Sequence, residues 1–295
     1  MNNLFDLHLQ IGSRRARQHI QDTPLWQLKQ FTRKKKVPDL SSLEKFERSR
    51  KRFERKDRLL AIASLSRFAK LDIGREKRKG LPEVILAEGK LATDVAKITQ
   101  AMLKRTGRAV VSRLTGSQVK AVRSIIGKEA KIEYFSRSRM MVVKSHSYTP
   151  RQSGGRVGIL TAGTSDIPVA EEAEVIAREM GCETRSFFDV GVAGIHRLFE
   201  PVRDLLKWEA DVILVVAGRE GALPTVVAGI VDVPVIGVPT SRSYGFGERG
   251  LSALAAMLQS CSLGMAVVNI DGGVGAGAVA ALVANRVGEY RTRVA

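Results

Sequence analysis

The chain is poor in residues that define several whole classes of protein. It has two cysteines, Cys182 and Cys261, in 295 residues. That is too few for a disulfide framework, so both are expected to be thiols in a reducing, cytoplasmic setting. No apolar run reaches membrane-spanning length, and no spanning helix is expected. The first residues lack a charged segment followed by an apolar one. Arg14-Arg15 is not followed by an apolar stretch either, so neither a secretory signal nor twin-arginine export is expected. Aromatic residues make up 5% of the chain, which leaves the core to Val, Ile, Leu and Ala. There is no P-loop, no dinucleotide fingerprint and no metal-ligand spacing. The length suffices for two domains with a sizeable core.

Positive charge is abundant but unevenly placed. Residues 1–60 hold 16 Lys or Arg against 7 Asp or Glu, residues 61–150 hold 19 against 7, and residues 151–295 hold 13 against 16. The basic half reads first as solvated helix faces and second as a surface for nucleic acid or another polyanion. No helix-turn-helix, zinc or aromatic RNA-binding signature accompanies the charge. A phosphate-bearing substrate is a further use for some of these cations.

Three regions follow from the pattern. Residues 1–57 read as a basic extension, partly helical or disordered, with a helix expected from Leu43 to about Lys70. Residues 58–150 read as a small α/β domain. Its strands are expected at 84–86, 109–111, 131–135 and 140–143, with helices at 91–105 and 117–126. Ser147 to Gly155 reads as a linker. Residues 151–295 alternate strands and helices regularly. Strands are expected at 156–161, 184–188, 211–217, 234–238 and 265–270, and helices at about 167–180, 194–209, 222–230, 250–262 and 275–287. Short continuous apolar runs such as Val212-Ile213-Leu214-Val215-Val216 suit strands buried on both faces of a parallel sheet.

Four polar clusters follow those strands, where open parallel sheets bind ligands. Gly163-Thr164-Ser165-Asp166 offers helix caps and free amides for phosphate, and a plain N-cap serves equally well. Asp189 and His196 flank Gly191-Val192-Ala193-Gly194. There the histidine suits a phosphate or carboxylate contact or a proton shuttle. Glu220 follows Gly218 and the most apolar strand. Partial desolvation would suit it to general-base work, the alternative being a pair with Arg219. Cys261 reads as lying at a helix end, where the dipole raises a thiol pKa, so reactivity needs positive help; the alternative is a buried structural thiol. Cys182 reads as an inert thiol in a surface turn. The glycine-rich turn at Asp271-Gly272-Gly273 is a weak phosphate signal on its own.

These clusters resemble the PurE family of aminoimidazole ribonucleotide carboxylases and mutases in Ser165-Asp166, His196-Arg197, Ala217-Gly218, Leu223-Pro224 and the final glycine turn. Gly163 replaces the first serine of that family's phosphate turn, and the histidine before its Leu-Pro is missing here. The wider pattern resembles the PurE-related LarB family. It is carried by Leu71-Asp72 through Arg75, Gly80-Leu81-Pro82-Glu83-Val84, Glu88-Gly89-Lys90, the run from Thr164 to Glu172, the run from Asp189 to Arg197, Glu220 to Pro224, Ser260-Cys261 and Asn269-Ile270-Asp271.

The resemblance implies a PurE-like, flavodoxin-like parallel-sheet domain after a small α/β domain. It also implies a carboxylase and hydrolase that opens nickel-pincer cofactor synthesis. That enzyme converts nicotinic acid adenine dinucleotide and carbon dioxide or bicarbonate into pyridinium-3,5-biscarboxylic acid mononucleotide and AMP. Cys261 is then the expected nucleophile, Glu220 the base and His196 a further catalytic group. Thr164, Ser165, Asp166, Asp189, Gly194, Arg197, Gly218, Asn269, Asp271 and Gly272 are expected to hold phosphates and carboxylates. Arg75 and Lys90 are expected at the adenylate or carboxylate pocket. The resemblance further implies a magnesium requirement and a homo-oligomer. Two alternatives stay open: a PurE-type carboxylase or mutase, which needs no thiol, and a nucleic-acid-binding regulator, whose binding would be steeply salt-dependent.

Overall fold

Five consecutive apolar residues, Val212 to Val216, leave a strand no polar face, so both of its faces must be covered. In the computed structural model, which describes residues 62–65 and 69–294, all five are fully buried. They lie in the central strand, β9 (Val212–Ala217), of a five-stranded sheet. All described residues belong to one compact unit, Asp57–Ala295.

That sheet comprises β7 (Arg156–Thr161), β8 (Glu183–Phe187), β9 (Val212–Ala217), β10 (Val235–Pro239) and β11 (Met265–Val267). All pairings are parallel, in the order β11-β10-β9-β7-β8. This is the flavodoxin-like arrangement, with the order reversing beside the first strand. The strands fall within a residue or two of their expected places, except that β11 stops at Val267 rather than 270. Helices Ile167–Glu179 and Gly273–Val294 cover one face, and helices His196–Lys207, Ala222–Ala228 and Leu251–Leu258 belong to the core of the other. The first two pack closely because Gly273 and Gly277 have no side chain. A Cβ on Gly277 would sit 2.3 Å from the Ala173 carbonyl oxygen, and one on Gly273 would sit 2.4 Å from that of Val169.

The small domain holds β3 (Val84–Leu86), β4 (Arg108–Ser112), β5 (Ala130–Phe135) and β6 (Met140–Ser145), in the order β3-β4-β6-β5. Helices Ala92–Thr106 and Gly116–Ile126 pack on one of its faces. Thr115 caps the second helix in a reciprocal capping box with Gln118. Alternate residues of this sheet belong to different cores. Ala109, Val111, Met141 and Val143 join the small domain's own core. Val110, Met140 and Val142 join the core of the parallel-sheet domain. Period-two alternation with apolar residues on both faces thus joins the two domains in one packed unit. The 147–155 segment packs rather than swings free: Ser153 donates to the Gly181 carbonyl, and a Cβ on Gly155 would meet the Ala284 backbone at 2.7 Å.

The helix expected at 250–262 stops at Leu258, that expected at 275–287 runs from Gly273 to Val294, and one element changes type. The helix expected to run to about Lys70 gives way to an antiparallel hairpin, β1 (Ile62–Leu65) with β2 (Ala69–Asp72). A short apolar run does not by itself distinguish helix from strand. Here burial of Leu71 between less buried Lys70 and Asp72 has period two. The remainder of that helix and the extension 1–57 lie outside the described residues.

Candidate functional site

Two adjoining cavities open at the carboxy-terminal edge of the parallel sheet. The first, about 340 Å³, is lined by Gly163, Ser165 and Asp166 after β7, Gly191 and Arg197 after β8, and Gly218 and Glu220 after β9. The second, about 230 Å³, reaches the small domain. Glu88, Arg113, Arg137, Ser138 and Arg139 face Glu172, Ser241 and Asp271 across it. Ser165 and Arg242 line both. Segments that follow β7, β8, β9 and β10 thus meet at one edge together with Asp271, whereas Cys261 does not join them.

Backbone strain concentrates here. Among the described residues seven non-glycine positions have positive φ, and four of them line these cavities: Arg113 (58°), Arg139 (55°), Arg219 (51°) and Asp271 (53°). Such conformations cost about 1–3 kcal/mol each and persist only where the surroundings enforce them, characteristically at ligand sites.

Asp166 is the tie of the site rather than an open ligand. Its Oδ1 accepts from the Thr240 hydroxyl at 2.7 Å and its Oδ2 from the Gly163 amide at 3.0 Å. Burial pushes its pKa up, and these hydrogen bonds with that of the Gly218 amide pull it down. The Gly163 amide is thereby occupied, which favours the N-cap reading of this turn. Gly218 has to be glycine in this arrangement, since a Cβ would lie 2.8 Å from Thr240 Oγ1 and 2.9 Å from the Arg242 carbonyl oxygen. Asp271 accepts the Ser241 amide at 2.9 Å through Oδ1, while its carbonyl accepts from Arg113 at 3.2 Å. It links the last turn of the large domain to the small one.

Several expected residues stand aside. Thr164 is exposed and lines neither cavity. Asp189 holds Arg197 by a 2.8 Å ion pair from outside the cavity. Gly194 makes room for that same guanidinium, which would lie 2.7 Å from an added Cβ. His196 opens its helix, exposed and outside the lining. Asn269 turns its Oδ1 to the Ile270 amide, and its carbonyl accepts the Gly272 amide, so both shape the turn before Gly273. Arg75 pairs with Glu83, and exposed Lys90 donates to the Leu86 carbonyl at 2.6 Å; neither lines the site. Glu220 does line it but is exposed in this chain, contrary to the desolvation expected of it.

Both cysteines are corrected. Cys182 is buried, not in a surface turn. Its Sγ donates to Asn285 Oδ1 at 3.0 Å, and burial pushes its pKa to about 11. Cys261 is exposed, neither buried nor at a helix end, because the helix stops at Leu258. It stands in the loop entering β11, at the amino-terminal edge of the sheet. There the Val235 amide, at the start of β10, donates to the Gly264 carbonyl. The pocket lies past the other end of β10, about 13 Å along the strand. Within one chain the thiol is outside the cavity.

The residues missed from sequence are Arg113, Arg137, Ser138, Arg139, Glu172 and Arg242. Arg113 directly follows a strand, and Arg137-Ser138-Arg139 fills the turn between two, so cations at strand ends were the available signal. Glu172 ends the run from Thr164 that carries the family resemblance, but as a helical carboxylate like its neighbours it was given no site role. It is 6% exposed, 3.4 Å from Ser112 Oγ and 4.0 Å from Arg113 Nε. Burial raises its pKa to about 7 against the pull of Arg113. No cluster of three His, Cys, Asp or Glu suited to a metal occurs among the described residues, and both Asp166 oxygens are engaged internally.

The fold and this edge site define a flavodoxin-like α/β protein with a ligand-sized cavity at the carboxy-terminal edge of its sheet. Comparison with known proteins agrees. Residues 156–294 match the family described as AIR carboxylase, and residues 62–146 match the LarB/PurE-like N-terminal domain. The chain is 45% identical over 217 residues to an uncharacterized protein of Methanocaldococcus jannaschii, covering 73% of this chain and 83% of that one. It is 36% identical over 147 residues to an N5-carboxyaminoimidazole ribonucleotide mutase of the same organism, covering 46% and 88%. A mutase of that name from Thermotoga maritima is 32% identical over 152 residues, covering 47% and 85%. The chain thus belongs to the AIR carboxylase family, with a LarB/PurE-like N-terminal domain ahead of the family domain. No described helix is long and apolar enough to cross a membrane.

Proposed function

We propose that the protein carboxylates the pyridinium ring of nicotinic acid adenine dinucleotide and cleaves its phosphoanhydride. Carbon dioxide and one water are consumed, and the products are pyridinium-3,5-biscarboxylic acid mononucleotide, AMP and the ring proton. The observation that carries this reading is the two-part site. A cavity of the carboxylase-family domain adjoins a second one walled by the LarB/PurE-like domain, which suits a dinucleotide better than a mononucleotide.

A pyridinium ring is electrophilic and does not attack carbon dioxide. Addition of the Cys261 thiolate turns it into a neutral dienamine, nucleophilic at the free meta carbon. That carbon bonds to carbon dioxide, Glu220 takes the ring proton, and departure of the thiolate restores aromaticity. Since Cys261 stands at the opposite edge of its own sheet, the thiol of one copy serves the cavity of another. Large exposed apolar residues support such association: Leu258 and Leu263 flank the thiol, and Tyr244 and Phe246 lie in the loop that follows the lining residue Arg242. Contact with a second copy would also exclude water around Glu220. Magnesium enters this reading only as an assay component.

The test is mass spectrometry of a reaction with the dinucleotide, bicarbonate and magnesium, beside a Cys261→Ala control. AMP and a mononucleotide one carboxyl group heavier than nicotinate mononucleotide are expected from the unaltered protein alone. No turnover by well-folded protein removes the reading. Turnover of an aminoimidazole nucleotide untouched by Cys261→Ala replaces it with the PurE-type one.

A further inference from the structure

We infer that the smaller cavity is an anion site that grips the phosphate of the adenylate half of the substrate, and that the small domain exists in part to supply it. The inference rests on the dinucleotide reading for the ligand's other half, but its own observations are separate.

Arg113, Arg137 and Arg139 converge on this cavity from the small domain, and Arg242 from the large one. Arg113 is engaged, donating to Glu88 at 3.1 Å and to the Asp271 carbonyl at 3.2 Å. The side chains of Arg137, Arg139 and Arg242 have no ion pair or hydrogen bond among the described residues. Between two of them stands Ser138, 4% exposed, whose Oγ has no hydrogen-bond partner. A buried hydroxyl left unsatisfied is destabilising, and a fold keeps one where a ligand or a bound water completes it. The turn is held rigidly: the Ser138 amide donates to Glu171 at 2.8 Å, and Arg139 is fixed in the left-handed region. Arginine forks with a hydroxyl beside them match phosphate oxygens. The glycine-lined cavity next door, with Gly163, Gly191 and Gly218 in its wall, has room for a flat ring and its ribose instead. Ser165 and Arg242, common to both, stand where the two phosphates of a dinucleotide join.

The test is calorimetric titration of AMP, adenosine, inorganic phosphate and nicotinate mononucleotide into the full chain, unaltered and with Ser138→Ala or the pair Arg137→Ala and Arg139→Ala. AMP binding is expected to fall three- to tenfold in Ser138→Ala and more than tenfold in the double variant. Adenosine should bind far more weakly than AMP, inorganic phosphate should compete with AMP, and nicotinate mononucleotide should bind all three proteins alike. Because the Ser138 hydroxyl has no internal partner, Ser138→Ala should melt no lower than the unaltered protein, which separates ligand loss from misfolding. AMP binding unchanged in both variants, or absent from the unaltered protein, overturns the inference. Binding as expected without any carboxylation of the dinucleotide keeps this site and removes only the proposed reaction.

Discussion

Arg108 of the small sheet and Glu179 of the large domain form an ion pair at 2.9 Å, with side chains 2% and 7% exposed. The Glu179 carbonyl also accepts from the same guanidinium, Lys144 binds the other carboxylate oxygen at 2.6 Å, and Tyr148 stacks on Arg108. Two cations share one buried carboxylate, so they depend on it more than it depends on either. Removing one partner of a buried pair costs about 3–5 kcal/mol, because a charge is left behind without compensation. Glu76, paired with Arg108 from a half-exposed position, offsets part of this. Glu179→Ala should lower unfolding free energy by about 3 kcal/mol in denaturant melts. A loss under 1 kcal/mol would show that the pair does not hold the domains together.

Glu172 makes stability depend on pH in an unusual direction. Its folded pKa of about 7 exceeds its ordinary 4.5. The folded state therefore keeps a proton that the unfolded chain releases, and stability from this group falls as pH rises from about 4.5 to 7. Arg113, Glu88 and Ser112 face it from the small domain, as do Arg137 and Arg139, with Asp271 and Arg242 on the other side. Relative to the unaltered protein, Glu172→Gln should gain up to about 3 kcal/mol between pH 5 and pH 8. Parallel stability–pH curves would contradict the assignment.

The helix–helix seam separates two neighbouring glycines. Gly277→Ala forces a methyl group to 2.3 Å from the Ala173 carbonyl oxygen and should cost about 3 kcal/mol or leave the protein insoluble. Gly275 has nothing within 4 Å of its added Cβ. Gly275→Ala should be neutral or stabilise by about 0.5–1 kcal/mol through helix propensity. Thermal melts that rank the two variants the other way would refute the seam.

The two thiols should differ sharply toward iodoacetamide. Cys261 is exposed, whereas Cys182 is buried with a pKa of about 11. At pH 8 in native buffer, peptide mass spectrometry should find Cys261 modified and Cys182 untouched until denaturant is added. Equal labelling in native buffer would mean that Cys182 is accessible.

If a thiol serves another copy's cavity, two inactive variants should rescue each other. Mixing Cys261→Ala with Glu220→Gln under conditions that exchange subunits should restore part of the activity, since some cavities then receive an intact thiol and an intact carboxylate. A mixture as inactive as its components would place both groups in the same chain's site.

Much of this was legible in the sequence. Apolar runs such as Val212 to Val216 have no polar face to expose, so a parallel sheet covered on both sides was the available solution. Chain order then places Ser165, Arg197, Gly218 and Asp271 at one edge, because every strand of a parallel sheet ends on the same side. Two features were invisible. Nothing local marks Glu172 as the helical carboxylate that meets Arg113 across two domains. Nor does proximity in sequence to the Asn269–Asp271 turn reveal that Cys261 enters β11 from the far edge, since a strand separates its two ends in space. Sequence by itself determined the alternation of strands and helices in the parallel-sheet domain, through periodicity and chain stiffness, but not the hairpin at 62–72. Tertiary structure alone decided which side chains share a cavity, because that depends on packing between segments far apart in the chain.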